Sequence, residues 1–296
     1  MAGLKEIRRR LLSVRNTRKI TYAMKLVSAA KLRKAQESVQ ESRKYTEAIN
    51  SLLGEVLAEQ SGSDLSHPLM QKHPEAQTGQ KPVGVIVFGG SRGLCGGYNT
   101  NINRRVEAFV RENPGFSIDW LLLGRKPAEY FRRTARKHTR SFEELPEDAN
   151  RWPIDEIAFE VENKFRKGEI HELYVISTRF RSAISMTVIC EKVLPFEAKE
   201  IQASGHTASA SGVTLFEPSA KQVFDALLPR ILRTKLRQAA LDAKASEHGS
   251  RMTAMDSATK NAGDLIDRLQ LTHNKLRQER ITKELLDIVG GAEALN

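Results

Sequence analysis

The stretch GLKEIRRRLLSVRNTRKITYAMKLVSAAKLRKAQ, residues 3–36, decides the fold. It contains no proline, and Leu4, Ile7, Leu11 and Val14 recur in steps of three and four, which puts them on one stripe of a helix. Ile20, Met24, Val27, Ala30 and Ala35 read as a continuation of that seam in smaller side chains, which admit close helix contact. The pattern runs on to about Leu57 with Gly54 as its one internal breaker. At about 1.5 Å per residue such a helix is roughly 80 Å long, several times the ~10 to 14 residues usual in globular proteins. A helix of that length needs a partner.

The other end of the chain supplies one. Arg230 to Val289 is free of proline and broken only by Gly249 and Gly263. Met252, Met255, Thr259, Ala262, Ile266, Leu269, His273 and Leu276 form a seam with three- and four-residue steps, and Ile281, Leu285 and Ile288 continue it on a shifted stripe. That is a coiled-coil pattern. Because a folded middle must return the chain, the two helices are expected to lie antiparallel. His273 has no second His, Cys or carboxylate beside it at metal spacing, so it reads as a packed seam residue.

Between the two rods the periodicity changes. Ser61 to Lys81 is rich in Ser, Gly, Pro and Gln and reads as a linker. Pro82 to Phe88 is a continuous apolar run, the mark of a strand buried on both faces of a parallel sheet. Helices are then expected at Asn99–Arg111, Pro127–Arg136 and Ile154–Lys167, and strands at Ile118–Leu123, Glu172–Ser177 and Ile184–Leu194, the last two pairing as a hairpin. This alternation predicts an α/β fold, with an open Rossmann-like domain inserted in a long antiparallel coiled coil. The expected boundaries are residues 1–58 for the first rod, 59–213 for the α/β domain with its linker loops, Gln202 to Val213 among them, and 214–296 for the second rod.

Charge is unevenly spread. The 296 residues carry a net +11, and residues 1–57 hold 13 Lys/Arg against 5 Asp/Glu. The middle of the chain is neutral. The run Arg8, Arg9, Arg10, Arg15, Arg18, Lys19, Lys25, Lys31, Arg33 and Lys34 is either the solvated face of an amphipathic helix or a surface for an acidic partner. A nucleic-acid partner would call for aromatic residues among the charges, and this rod has only Tyr22 and Tyr45.

Chemistry has little to hold on to. Gly89-Gly-Ser-Arg-Gly-Leu-Cys-Gly-Gly-Tyr-Asn99 lies between the first strand and its helix, where glycine loops cradle phosphates. It lacks the Lys-Ser/Thr pair of a P-loop and the acidic residue of a dinucleotide fingerprint, so it reads as a tight turn. Cys95 has no His in the motif to activate it. With only Cys95 and Cys190, no disulfide framework or metal cluster is expected. The opening MAGLKEIRRR lacks the apolar core and cleavage site of a secretory signal, and its spacing runs straight on into the helix, unlike an organelle presequence. No catalytic residue, cofactor site or metal site is expected.

Three separated motifs carry a family resemblance: Lys5-Glu-Ile-Arg with Asn16-Thr-Arg-Lys-Ile-Thr-Tyr-Ala-Met-Lys-Leu-Val27, Arg92-Gly-Leu-Cys-Gly-Gly-Tyr-Asn99, and Arg251-Met-Thr-Ala-Met-Asp-Ser-Ala-Thr-Lys-Asn-Ala-Gly-Asp-Leu-Ile266 followed by Thr282-Lys-Glu-Leu. In this order they resemble the gamma subunits of bacterial F-type rotary ATP synthases. The resemblance implies a non-catalytic rotor shaft inside a hexamer of three alpha and three beta subunits, with epsilon and the ring of c subunits at its foot. It also implies a peripheral place on the cytoplasmic face of the bacterial membrane.

Carried over by position, Met24 and Lys25 match the shaft segment passing the acidic beta loops. Arg251, Gln278 and Thr282 match C-terminal coupling positions, and Arg9 and Arg10 lie where the first helix enters the sleeve. Cys95 and its loop match a segment facing the beta rim, while Thr214, Phe216 and Glu217 match foot residues near epsilon and the ring. Gly90-Ser91 stands where the family usually has Ser-Asp, and Tyr22 where a basic residue is frequent. The alternatives are a basic coiled-coil protein that binds nucleic acid or serves as a scaffold, and a nucleotide-using enzyme built on the glycine loop.

Overall fold

The computed structural model describes residues 2–59, 66–74, 79–197, 216–217 and 219–293. Helix α1 spans Ala2–Glu59 and helix α5 spans Ala220–Glu293. Between them lie β1 (Lys81–Phe88), α2 (Tyr98–Glu112), β2 (Phe116–Leu123), α3 (Arg125–Arg133), β3 (Arg140–Phe142), α4 (Ile154–Arg166), β4 (Glu172–Phe180) and β5 (Met186–Leu194). The chain divides into two compact units, one of residues Met1–Ala29 and Arg251–Asn296, the other of Ala30–Ser250.

In the first unit α1 and α5 pair antiparallel. Thr21 meets Thr259 and Lys25 meets Asp256, so position numbers on the two helices rise in opposite directions. The buried stripe of α1 keeps a strict heptad: Ile7, Val14, Thr21, Ser28, Ala35, Ser42, Ile49 and Val56 on one track, Leu4, Leu11, Arg18, Lys25, Leu32, Val39, Thr46 and Leu53 on the other. All of these are buried or half-buried except Arg18.

The seam therefore differs from the sequence expectation in its middle. Ile20 is 60% exposed and Val27 56%, while Thr21 and Ser28 are buried. Leu4 to Val14 before this section set the helix phase, and the helix carries that phase through Thr21 and Ser28 although apolar neighbours stand one residue away. On α5 the expected seam is found: Met255, Ala262 and Ile266 are buried, and Met252, Thr259, Leu269, His273 and Leu276 are half-buried. From Arg277 to Val289 every residue is exposed, Ile281, Leu285 and Ile288 included. Nothing among the described residues covers that last stripe.

Helix α5 starts ten residues earlier than its sequence pattern predicts and carries Pro229 inside it. Proline removes one helical hydrogen bond and crowds the preceding turn. Here Phe224, Leu227 and Leu228 before it, and Ile231 and Leu232 after it, are all buried. Burial of both flanking turns outweighs a local loss of about 3 kcal/mol.

The second unit holds one five-stranded sheet of order β3-β2-β1-β4-β5. β1 pairs in parallel with β2 and β4, β2 in parallel with β3, and β5 runs antiparallel to β4. The order reverses direction at β1, as in doubly wound folds. Val83, Val85, Val87, Trp120, Leu122 and Ile176 face α2 and α3, whose Ile102, Val106, Phe109 and Phe131 complete one core. Trp152, just before α4, stacks on Phe88 with ring centroids 6.4 Å apart.

Two details were not legible in the sequence. β3 is three residues long, too short to show alternation. Part of the expected linker is packed: Pro68–Met70 forms a 3-10 turn, Leu69 is fully buried, and its carbonyl accepts from the Phe196 N–H. Gln202 to Val213, the rest of that linker at 61–65 and 75–78, and Thr214 lie outside the described residues.

Candidate coupling surfaces

The mid-section of the helix pair in the first unit is polar inside and apolar outside. Lys25 Nζ lies 2.6 Å from the Asp256 carboxylate, and the hydrogen bond to Asp256 holds its ammonium above the usual lysine range. Ser28 donates to the Met24 carbonyl at 2.7 Å, and Met24 itself is half-buried. On the outward face Leu12, Ile20, Leu26 and Val27 are each more than half exposed. Apolar spacing alone puts Ile20 and Val27 inside; the heptad phase extended from Leu4 and Ile7 places them outside, as found.

The remaining expected contact residues on these helices divide by exposure. Arg9, Arg10, Gln278 and Thr282 are exposed, whereas Arg251 is buried. Among the described residues Arg8, Arg9, Arg10, Arg15, Arg18 and Lys19 make no ion pair, so the first turns of α1 present their charge outward. Farther along α1, in the second unit, the basic residues are answered within the chain. Lys31 reaches Glu147 at 2.9 Å, Lys34 reaches Asp148 at 3.9 Å, and Arg43 lies 3.9 Å from Asp242.

Two of those acids belong to one segment ahead of α4. Glu147 Oε1 accepts from Lys31 Nζ on α1, and His248 Nε2 and Lys244 Nζ of α5 stand 3.1 Å and 3.7 Å from it. Burial pushes the Glu147 carboxyl up, but the Lys31 hydrogen bond and the charges of Lys244, Lys31 and His248 outweigh it and bring it down to about 2. Asp148 caps the short turn Ala149–Arg151, Asn150 donates to Ser38 at 3.3 Å, and Arg237 of α5 reaches Asp155 at 3.2 Å. The neighbouring cleft, lined by Lys31, Ser38, Leu241 and Lys244, measures about 130 Å³, below the ~300 to 1,000 Å³ of small-molecule sites.

The first two glycines of the loop spend their donors inside the fold. Gly89 N–H donates to the Leu123 carbonyl at 2.8 Å and Gly90 N–H to Asn99 Oδ1 at 3.1 Å; the Gly90 carbonyl accepts from Lys126 N–H. A Cβ on Gly89 would stand 2.2 Å from Pro127 Cγ, and one on Gly124, at φ +103°, 2.5 Å from the Gly89 carbonyl oxygen. The glycines let β1, β2 and the start of α3 close together, as a tight turn requires. Cys95 is 2% exposed, its Sγ accepting from Asn99 Nδ2 at 3.1 Å, so the thiol anchors the loop from inside. What projects is Leu94, 64% exposed at φ +59°. Tyr98, next in line, donates its hydroxyl to the Ala243 carbonyl of α5 at 3.0 Å. Neither cysteine forms a disulfide, and among the described residues no three His, Cys, Asp or Glu gather as a metal site. Ahead of α5, Phe216 is half-buried and Glu217 exposed.

Together these features define a protein built of a long antiparallel helix pair and a doubly wound α/β domain, in which the Gly89 to Asn99 loop is a tight turn. A family model described as ATP synthase matches residues 3–295. The ATP synthase gamma chain of Pelotomaculum thermopropionicum is 40% identical over 295 residues, covering all of both chains. That of Bdellovibrio bacteriovorus is 39% identical over 300 residues, covering all of this chain and 99% of the other. The chain belongs to the ATP synthase gamma chain family. Its fold is similar to a chain of the Euglena gracilis mitochondrial ATP synthase rotor, TM-score 0.59 at 17% identity over 95% of this chain and 99% of that one. A chain of the OSCP/F1/c-ring assembly of the same enzyme gives TM-score 0.63 at 18% identity, covering 99% and 95%. No helix among the described residues is long and apolar enough to cross a membrane.

Proposed function

We propose that this chain is the central rotor shaft of an ion-driven ATP synthase, one copy per complex. It turns inside three alpha and three beta subunits and is joined at its foot to epsilon and the ring of c subunits. The observation that carries the reading is the whole-length match to gamma chains, on a chain whose ends form a register-fixed antiparallel helix pair. The shaft changes no covalent bond. Its faces differ around the axis, so each beta subunit meets a different surface at any instant, and rotation takes the three catalytic sites through different affinities.

Under this reading Arg9, Arg10, Gln278 and Thr282, all exposed, face the sleeve, and Met24 and Lys25 pass the acidic beta loops together with the exposed Ile20 and Val27. An acidic partner suits the outward charge of the first turns of α1. Leu94, displayed by the buried Cys95, is the docking element of the glycine loop at the beta rim. Arg251, being buried, acts by shaping the helix pair. Thr214, Phe216 and Glu217 belong to the foot, and the complex lies on the cytoplasmic face of the bacterial membrane as a peripheral assembly. The test is reconstitution with alpha and beta subunits: ATPase of the hexamer should change on addition of the chain, and removal of residues from Gln278 onward should weaken assembly or coupling. A chain that neither joins the hexamer nor alters its turnover sinks the reading.

A further inference from the structure

Torque applied to the α/β body has to reach the two helices through contacts inside the second unit. Interdigitated apolar packing holds each helix against the body, and directional polar contacts add a constraint that a single substitution can remove without opening a cavity. Directional contacts to the helices come from several places, Tyr98 to Ala243 of α5 and Phe180 to Arg43 of α1 among them, and in the segment 147–155 one atom stands close to side chains of both helices. Glu147 Oε1 receives Lys31 from α1 and His248 from α5, with Lys244 standing behind. Lys244 and His248 are 8% and 4% exposed at their side chains, while Glu147 and Lys31 are 43% and 35% exposed, so the α5 side of the contact is buried and its Glu147 side meets solvent. Lys31 and His248 also lie within three residues of the limits of this unit, Ala30 and Ser250. The grip therefore falls on the first turn of α1 and the last turn of α5 within the unit.

We infer that Glu147 is a positioning residue for torque transfer: by binding Lys31 and His248 together it fixes the angular phase of both helices relative to the α/β body. The inference rests on the rotor reading above. Lys34 with Asp148, Ser38 with Asn150 and Arg237 with Asp155 support the same grip from neighbouring positions, but each reaches one helix only. Loss of the Glu147 charge removes a contact to each helix at once.

The experiment uses complete ATP synthase in vesicles carrying wild type, E147Q, K31Q, the pair E147Q/K31Q, and E144Q as an exposed control three residues away. Hydrolysis, ATP-driven ion pumping and the thermal midpoint of the chain are measured for each. E147Q should lower the ratio of pumping to hydrolysis about threefold or more while complexes still assemble. Because the two residues act through one contact, E147Q/K31Q should be no worse than E147Q, and E144Q should match wild type. A lower thermal midpoint with an unchanged pumping ratio would mean that Glu147 only stabilises the fold, and would overturn the inference. If E147Q does not accumulate, K31Q removes the α1 partner of Glu147 and the pair H248Q/K244Q removes its α5 partners, and each must lower the ratio by itself; unchanged ratios overturn it equally. Failure of the wild-type chain to form a coupled complex would instead defeat the rotor reading.

Discussion

Thr21 of α1 and Thr259 of α5 meet hydroxyl to hydroxyl at 2.8 Å inside the antiparallel helix pair. Thr21 also lies 3.1 Å from the Arg18 carbonyl and Thr259 2.7 Å from the Met255 carbonyl, so the pair forms a short hydrogen-bonded chain crossing from one helix to the other. Polar residues at seam positions specify register at some cost in stability. T21V or T259V alone leaves one hydroxyl facing a methyl group and should cost about 1 to 2 kcal/mol in urea unfolding. The double replacement removes both polar groups and should cost less than the sum of the two. Additive losses would show that the hydroxyls do not act as a pair.

The glycine loop allows a clean contrast. Alanine at Gly124 would need a positive φ and would press on the Gly89 carbonyl, so G124A should lose about 3 kcal/mol or more, read as a fall in thermal midpoint. A Cβ on Gly93 would meet nothing within 4 Å, and G93A should stay within about 1 kcal/mol of wild type. Equal losses at both positions would contradict the packing account of the loop.

Acid should separate Glu147 from other carboxylates. Its folded-state value of about 2 lies below the ordinary 4.5, so its contribution is fully present above pH 4.5 and is lost as pH falls from there toward 2. The side chain is 43% exposed, and solvent screening keeps the contribution modest. The difference in thermal midpoint between wild type and E147Q should shrink over that interval. A gap that stays constant down to pH 2 would show that the ionised carboxylate is not what Lys31 and His248 recognise.

Both thiols should be slow to react. Cys95 is buried, and burial pushes the Cys190 thiol up against the opposing pull of Arg105, leaving little thiolate at neutral pH. Ellman's reagent should label the native chain at least about a hundredfold more slowly than the urea-unfolded chain. Rapid native labelling of Cys95 would mean that the loop opens readily and that its anchor is weak.

The two long helices, the doubly wound middle and the family were legible in the sequence because each is written locally. Missing prolines and steps of three and four show helices, the run Val83 to Phe88 shows a strand buried on both faces, and motifs such as Arg92 to Asn99 need no partner to be recognised. Helix phase was legible only where apolar residues mark it. Between Arg18 and Ser28 they do not, and Ile20 and Val27 drew the seam one residue off.

Tertiary structure decided what depends on distant groups meeting. Thr21 finds Thr259 only when the chain has returned, and the α/β body brings Glu147 to Lys31 and His248, each more than a hundred residues away along the chain. It also turned Cys95 inward and left Leu94 outside, which no spacing in the loop could indicate. Local propensity and periodicity are properties of neighbours along the chain, whereas burial, ion pairing and the direction of a side chain are properties of neighbours in space. For this chain the sequence determined the elements and the family; the tertiary fold decided which faces of those elements are left to meet a partner.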